Sequence, residues 1–262
     1  MSLSPDKPLA GKKIVVTRAR AQADKLAKML DELGAAVIEF PTIDIRPVQP
    51  PPAIPALREF DWVIFTSING VNAFLDAING EHPDGDLRNC RVCAVGPGTT
   101  TALRERGVRV DLVPGDFIQE GVLAALTEAD PLLGGKRILL PKGDLAREFL
   151  ATELRKLGAA VEEVVVYHTV GVEAPPEAVR ALLDARPDAI AFTSASTAKN
   201  FARIVGPGGL ARLAGVLFVA IGPETSAAAR ACDMPVYIEP AQHDLWSLAK
   251  SLVKAFTGRD LE

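Results

Sequence analysis

The chain carries one pattern of residues twice. Ile14-Val15-Val16-Thr17-Arg18 lies over Ile138-Leu139-Leu140-Pro141-Lys142 at an offset of 124. That register holds without a gap through Leu26 over Leu150 and Leu30 over Leu154. It ends in an identical stretch, Leu33 to Val37 over Leu157 to Val161. Phe65-Thr66-Ser67 lies over Phe192-Thr193-Ser194, with Phe74 over Phe201, at an offset of 127. Ala94-Val95-Gly96-Pro97 lies over Ala220-Ile221-Gly222-Pro223, with Thr99 over Thr225. Matched blocks in the same order mark an internal duplication.

Each copy reads as strand, helix, strand, repeated. The strand candidates IVV, WVIF, VCAV, ILL, AIAF and LFVAI are short apolar runs without alternation. Strands buried on both faces look like this, and they belong to parallel sheets covered by helices. The intervening helices are amphipathic: Leu26, Met29, Leu30 and Leu33 share one face of Asp24 to Leu33. Gly34 and Gly158 stand where a helix-terminating glycine belongs. The expected fold is α/β, with two doubly wound, flavodoxin-like parallel-sheet domains. A length of 262 residues, at roughly 150 per domain, agrees with two.

A simple cut falls between the copies, near Asp130 to Gly135. The proline-rich segments suggest another division. Arg46 to Pro55 and Glu173 to Glu177 occupy equivalent places in the two copies and are stiff and extended, as interdomain linkers often are. Linkers there predict that the copies exchange their first units. Residues 1–45 and 172–262 then form a discontinuous domain, 46–171 a contiguous one, and two chain crossings form a hinge beside a cleft.

Charge and composition exclude several functions. Lys plus Arg is 29 against 33 for Asp plus Glu, a net charge of −4, so a general nucleic-acid binder is not expected. Apolar runs such as Val216 to Ile221 are far short of the ~20 residues of a membrane span. The polar start MSLSPDKPLAGKK does not read as a secretory leader. Cys90 and Cys93 form a CxxC, but on a strand an odd separation puts them on opposite faces, and no second Cys/His pair stands nearby. Three cysteines form no disulfide framework, and a cytoplasmic location is expected.

Ligands of open parallel sheets bind beyond the carboxyl ends of the strands. Those ends read Thr17-Arg18-Ala19-Arg20, Thr66-Ser67-Ile68-Asn69-Gly70, Gly96 to Thr101, Pro141-Lys142-Gly143-Asp144, Thr193 to Thr197, and Gly222 to Ser226. Each is expected to open a helix, whose N-terminus receives anions. Ser and Thr are also ordinary helix caps, so one such turn means little and six together mean more. Arg18, Arg20, Lys142 and Arg147 are the mobile cations placed near that end. No dinucleotide or Walker glycine pattern, HExxH or GxSxG occurs, and His82, His168 and His243 are scattered. Such an enzyme works by binding and orientation. Tyr167, in VVVYHTV just before the second crossing, is one of two tyrosines. Its phenol can donate a hydrogen bond or a proton. On pattern alone, a packed strand tyrosine with its hydroxyl in water is the favoured reading.

The chain resembles the uroporphyrinogen-III synthase family over essentially its whole length. The resemblance is carried by Thr17-Arg18, the FTS turn at Phe65 to Ser67, Val95-Gly96 with Thr99, and LLPKGDLARE at Leu139 to Glu148. It continues in VVYHTV at Val165 to Val170, FTSAS at Phe192 to Ser196, and AIGPETS at Ala220 to Ser226. It implies two lobes on a two-stranded connector and no cofactor. The implied substrate is hydroxymethylbilane, closed with loss of water and inversion of ring D. It places Tyr167 as the group assisting departure of the hydroxyl. It matches Ser67, Thr99, Ser194 and Thr225 to hydroxyls lining the substrate site. With Arg18, Thr66, Lys142 and Ser196 from the strand ends, these are the candidate substrate-binding residues. A monomer acting on a small molecule, without metal, nucleic acid or membrane, is expected. Two rivals stay open: a non-catalytic two-lobed anion-binding protein, and an enzyme of nucleotides or sugar phosphates.

Overall fold

The computed structural model describes residues 7–78 and 87–261. His82 and the first six residues, on which the leader argument partly rests, lie outside the described residues. The chain begins with β1 (Lys13–Val16), α1 (Arg20–Glu32), β2 (Ala36–Glu39), β3 (Ile43–Pro47), β4 (Trp62–Phe65) and α2 (Ile68–Ile78). It continues with β5 (Arg91–Ala94), α3 (Pro97–Glu105), α4 (Gln119–Ala129), β6 (Arg137–Gly143), α5 (Phe149–Lys156) and β7 (Ala160–Gly171). It ends with α6 (Pro176–Asp184), β8 (Ala189–Phe192), α7 (Ala195–Arg212), β9 (Leu217–Ala220), α8 (Pro223–Arg230), β10 (Val236–Ile238) and α9 (Leu245–Thr257).

These elements fall into two compact units. One contains the residues up to Asp44 and those from Val170 onward; the other is Ile45–Thr169. The division lies inside β3 and β7, ahead of the proline-rich segments. Val48 N donates to Val166 O at 3.0 Å and Val172 N to Thr42 O at 3.1 Å. Numbers rise on one strand as they fall on the other, so the two run antiparallel.

The discontinuous unit has the sheet order β10-β9-β8-β1-β2, with neighbours parallel. Counted in chain order within the unit, that is 5-4-3-1-2, a doubly wound arrangement. Successive strand residues feed opposite cores. Val15, Ile190, Phe192 and Phe218 pack with Leu182, Phe201 and Ala229 of α6, α7 and α8. Ile14, Val16, Ala191 and Val219 pack with Leu26 and Leu30 of α1 and Leu252 of α9. Such two-sided burial is why these strands lack alternation in sequence.

The contiguous unit has the order β3-β7-β6-β4-β5, and β4 to β7 pair in parallel. Val63, Phe65, Val92 and Leu139 face Phe74 of α2 and Leu103 of α3. Trp62, Ile64, Cys93 and Ile138 face Leu126 of α4 and Leu154 of α5. Cys90 and Cys93 thus enter different cores, and burial pushes the Cys93 thiol up to about 12. Gly34 and Gly158 follow α1 and α5 in left-handed conformations, φ +93° and +86°, as terminating glycines do.

One strand end departs from expectation. β6 does not stop before Pro141 but continues beside β7 to Gly143, and α5 opens only at Phe149. Pairing of β6 with β4 has ended at Leu139, so from there β6 has one unpaired side and tolerates a proline. Pro141 and Lys142 are strand residues, and no helix opens directly behind them. No helix among the described residues is long and apolar enough to cross a membrane.

Candidate active site

In the contiguous unit the helices after β4 and β6 leave on opposite faces: α2 joins one core and α5 the other. The chain therefore diverges at the carboxyl ends of two adjacent strands, the position where open α/β sheets bind ligands. Tyr167 reaches into that position from β7. Its ring crosses Gly143 at the end of β6: a methyl group built on Gly143 would lie 2.5 Å from the ring carbon bearing the hydroxyl. The hydroxyl ends 3.2 Å from Ser67 Oγ, in the turn after β4, and is also hydrogen-bonded to Asn69. Ser67 caps α2 by accepting from Gly70 N at 3.0 Å. Gly70 in turn lies against Pro141 O, 3.2 Å from its own would-be Cβ.

This differs from the tyrosine with its hydroxyl in water that the pattern favoured. Tyr167 is buried. Burial, aided by the charge of Asp144, outweighs the Ser67 and Asn69 hydrogen bonds and holds the phenol above its ordinary value. It is a neutral donor at physiological pH.

Two expected cations are engaged elsewhere. Lys142 Nζ lies 2.6 Å from Glu148 and 2.7 Å from Glu163, and Glu163 also binds Arg155 at 2.9 Å. Arg147 meets both carboxylate oxygens of Glu120, at 2.9 and 3.0 Å. Neither is a mobile cation, because glutamates stand within reach of both. Thr66 is half-buried in a small cavity with Lys142 and Glu163. Thr99 is buried in the first turn of α3, and Gly98 beside it packs on Ile68 at the start of α2.

The discontinuous unit repeats the arrangement at β1 and β8, whose following helices α1 and α7 also lie on opposite faces. Ser194 caps α7 through a reciprocal capping box with Thr197, and its hydroxyl is 2.9 Å from Ser196 Oγ. Thr17 Oγ1 donates to Ala191 O at 2.8 Å, tying the two strand ends together. Thr225 is buried in the first turn of α8. Arg18 is half-buried, with the Gln22 amide oxygen 3.4 Å away, and desolvation lowers its pKa. An acidic group brought to it gains more than it would at an exposed arginine.

Asn69, Gly143 and Asp144 were visible only as parts of strand-end turns. No spacing rule joins them to Tyr167: Asn69 and Ser67 lie about a hundred residues from it, and Gly143 and Asp144 meet it only through the β6–β7 pairing. A groove of about 490 Å³ lined by Arg58, Asp61, Arg88 and Arg91 opens at the other, amino ends of β4 and β5. There Asp61 is paired with Lys136 and Arg91 with Asp130. Among the described residues, no group of three His, Cys, Asp or Glu side chains is placed to hold a metal.

A family model described as uroporphyrinogen-III synthase HemD matches residues 24–250. The chain is 34% identical over 231 residues to a uroporphyrinogen-III synthase of Synechococcus elongatus, covering 84% of this chain and 86% of that one. It is 32% identical over 248 residues to one from Chlorobaculum parvum, covering 93% and 99%. The crystal structure of a Helicobacter pylori uroporphyrinogen-III synthetase shares the fold, with a TM-score of 0.66 at 21% identity, over 95% of this chain and all of that one.

Proposed function

We propose, from the premise that this chain belongs to the uroporphyrinogen-III synthase family, that it closes hydroxymethylbilane to uroporphyrinogen III with loss of water and inversion of ring D. The observation that carries the chemistry is the neutral Tyr167 phenol, aimed with Ser67 at the point where β4 and β6 diverge. Its proton assists the terminal hydroxyl to leave as water. The substituted carbon of ring D, an electron-rich pyrrole carbon, attacks the methylene of the azafulvene cation that remains and gives a spirocyclic intermediate. Fragmentation and reclosure in the inverted sense end with loss of one proton, which returns to the phenolate. Atoms balance as substrate minus water. Unassisted closure proceeds without inversion, so the protein's task is to hold ring D in the less accessible arrangement.

Ser67, Thr66, Thr99, Ser194, Ser196 and Thr225 receive the acetate and propionate groups together with the amides of the helix starts. Arg18, half-desolvated, is a carboxylate partner. Lys142 is left out of this set because its charge is already matched. We further propose that the two units are domains of one duplication, that β3 and β7 act as a hinge between them, and that the protein works as a cytoplasmic monomer.

The test supplies freshly made hydroxymethylbilane, oxidises the products and separates type I from type III. Type III is expected to dominate with the native protein. In Tyr167→Phe, turnover is expected to fall about a hundredfold, the lower end for loss of a general acid, with the fold intact. Product that stays type I with folded native protein overturns the proposal.

A further inference from the structure

We infer that Gly143 and Asp144 position the Tyr167 phenol, Gly143 by leaving the space its ring crosses and Asp144 by fastening the bulge that turns the ring into that space. The inference rests on the reading of Tyr167 as proton donor. The β6–β7 register runs one-to-one from Arg137 with Ala160 to Lys142 with Val165, then pairs Gly143 with Tyr167. One residue of β7, Val166, is therefore extra. A bulge of this kind re-aims the side chains that follow it. Val164, Val166 and Tyr167 consequently all enter the same core, although strict alternation would send Tyr167 to the other face.

The re-aimed ring needs room. At Gly143 an added Cβ would stand 2.5 to 2.7 Å from three atoms of the phenol, distances no side chain accepts. The bulge also needs fastening. Asp144 N donates to Tyr167 O at 3.1 Å, Asp144 Oδ1 accepts from Thr169 N at 2.9 Å, and Oδ2 lies 3.1 Å from His168 Nδ1. Three consecutive residues of β7 are thus tied to one residue beyond β6. The duplication supplies a contrast: at the offset of 124, Ala19 stands for Gly143 and Ile43 for Tyr167. The copy without the phenol is the copy without the gap.

The test reads the phenol directly. The chain has two tyrosines, and Tyr237 is exposed, so in a Tyr237→Phe background the ultraviolet signal of phenolate formation belongs to Tyr167. It is read by rapid pH jump, before unfolding intervenes. Tyr167 is expected to ionise above its ordinary 10.0. Gly143→Ala is expected to move that transition down toward the ordinary value, and to cut kcat by about a hundredfold with KM little changed. Asp144 also acts on the phenol through its charge, so two variants separate its roles. Asp144→Asn removes the charge and keeps an acceptor for Thr169 N, whereas Asp144→Ala removes both. A larger downward shift and a lower kcat in Asp144→Ala than in Asp144→Asn support the inference. A Tyr167 transition unmoved in Gly143→Ala, or identical in the two Asp144 variants, overturns it. If those shifts occur but Tyr167→Phe turns over at the native rate, the positioning device stands and the donor reading falls.

Discussion

Lys142 and Tyr167 show how neighbours decide what a side chain does. Read along the chain, Lys142 is a cation just past an apolar run and Tyr167 a strand aromatic. In the fold, Lys142 is 11% exposed between Glu148 and Glu163. Burial alone would lower its pKa; the two glutamates outweigh burial and raise it. For Glu163 the signs reverse: burial pushes up, and Lys142 and Arg155 hold it below the ordinary value. The lysine's contribution to stability is therefore complete below its unfolded pKa and fades only as pH rises through the raised native one. The glutamate's is complete above its unfolded pKa and fades as pH falls through the depressed native one. Between those limits the pair stabilises the protein almost independently of pH. Lys142→Met leaves the half-buried Glu163 with Arg155 alone and is expected to cost about 2 kcal/mol at neutral pH, read by urea unfolding. KM for hydroxymethylbilane should barely change. A KM raised severalfold at unaltered stability would return Lys142 to the substrate site.

At the scale of elements, the two units use the same contact to join neighbouring strands. Asp61, just before β4, accepts from Arg137 N at 2.9 Å and from Lys136 Nζ at 2.9 Å at the start of β6. Asp188, just before β8, accepts from Lys13 N at 2.8 Å and from Lys12 Nζ at 3.1 Å at the start of β1. The same clip thus joins the amino ends of equivalent central strands in each unit. Burial would raise both aspartates, and the amide and lysine outweigh it and hold them low. Each clip therefore stabilises above the unfolded aspartate value of 3.8 and is lost as pH falls below it through the depressed native value. Asp188→Ala is expected to cost about 1–2 kcal/mol at pH 7, discounted for partial exposure, and less near pH 2. Equal losses at both pH values would assign the effect to packing instead. The strands, the helices and the Ser67 and Ser194 turns were legible because burial on both faces and helix capping leave local marks. The extension of β6 through Pro141 was not, since what permits it is the early departure of β4. The reach of Tyr167 over Gly143 was not either, since it follows from a bulge that sequence spacing does not encode.

For the whole molecule, the division within β3 and β7 has a consequence for folding. Each unit has its own sheet covered on both faces, with separate cores on either side. All the partners of Tyr167 described above, Ser67, Asn69, Gly143 and Asp144, lie within Ile45–Thr169. Residues 45–169 alone are therefore expected to fold in one cooperative step and to keep the Tyr167 phenol above its ordinary value. The other unit is built from two separated stretches of chain, and its ends at the division are close, since Val172 N bonds to Thr42 O. Replacing 45–169 by a short glycine-serine loop should leave a second foldable protein, because closing a short loop costs little entropy. Under the proposed function neither piece alone should raise the yield of type III product above the unassisted background, while both fold by circular dichroism and calorimetry. Type III product from residues 45–169 alone would confine the reaction to one unit and remove the hydroxyls of the other from it. Failure of that segment to fold, with the excised protein folding normally, would instead make the contiguous unit dependent on the chain that surrounds it.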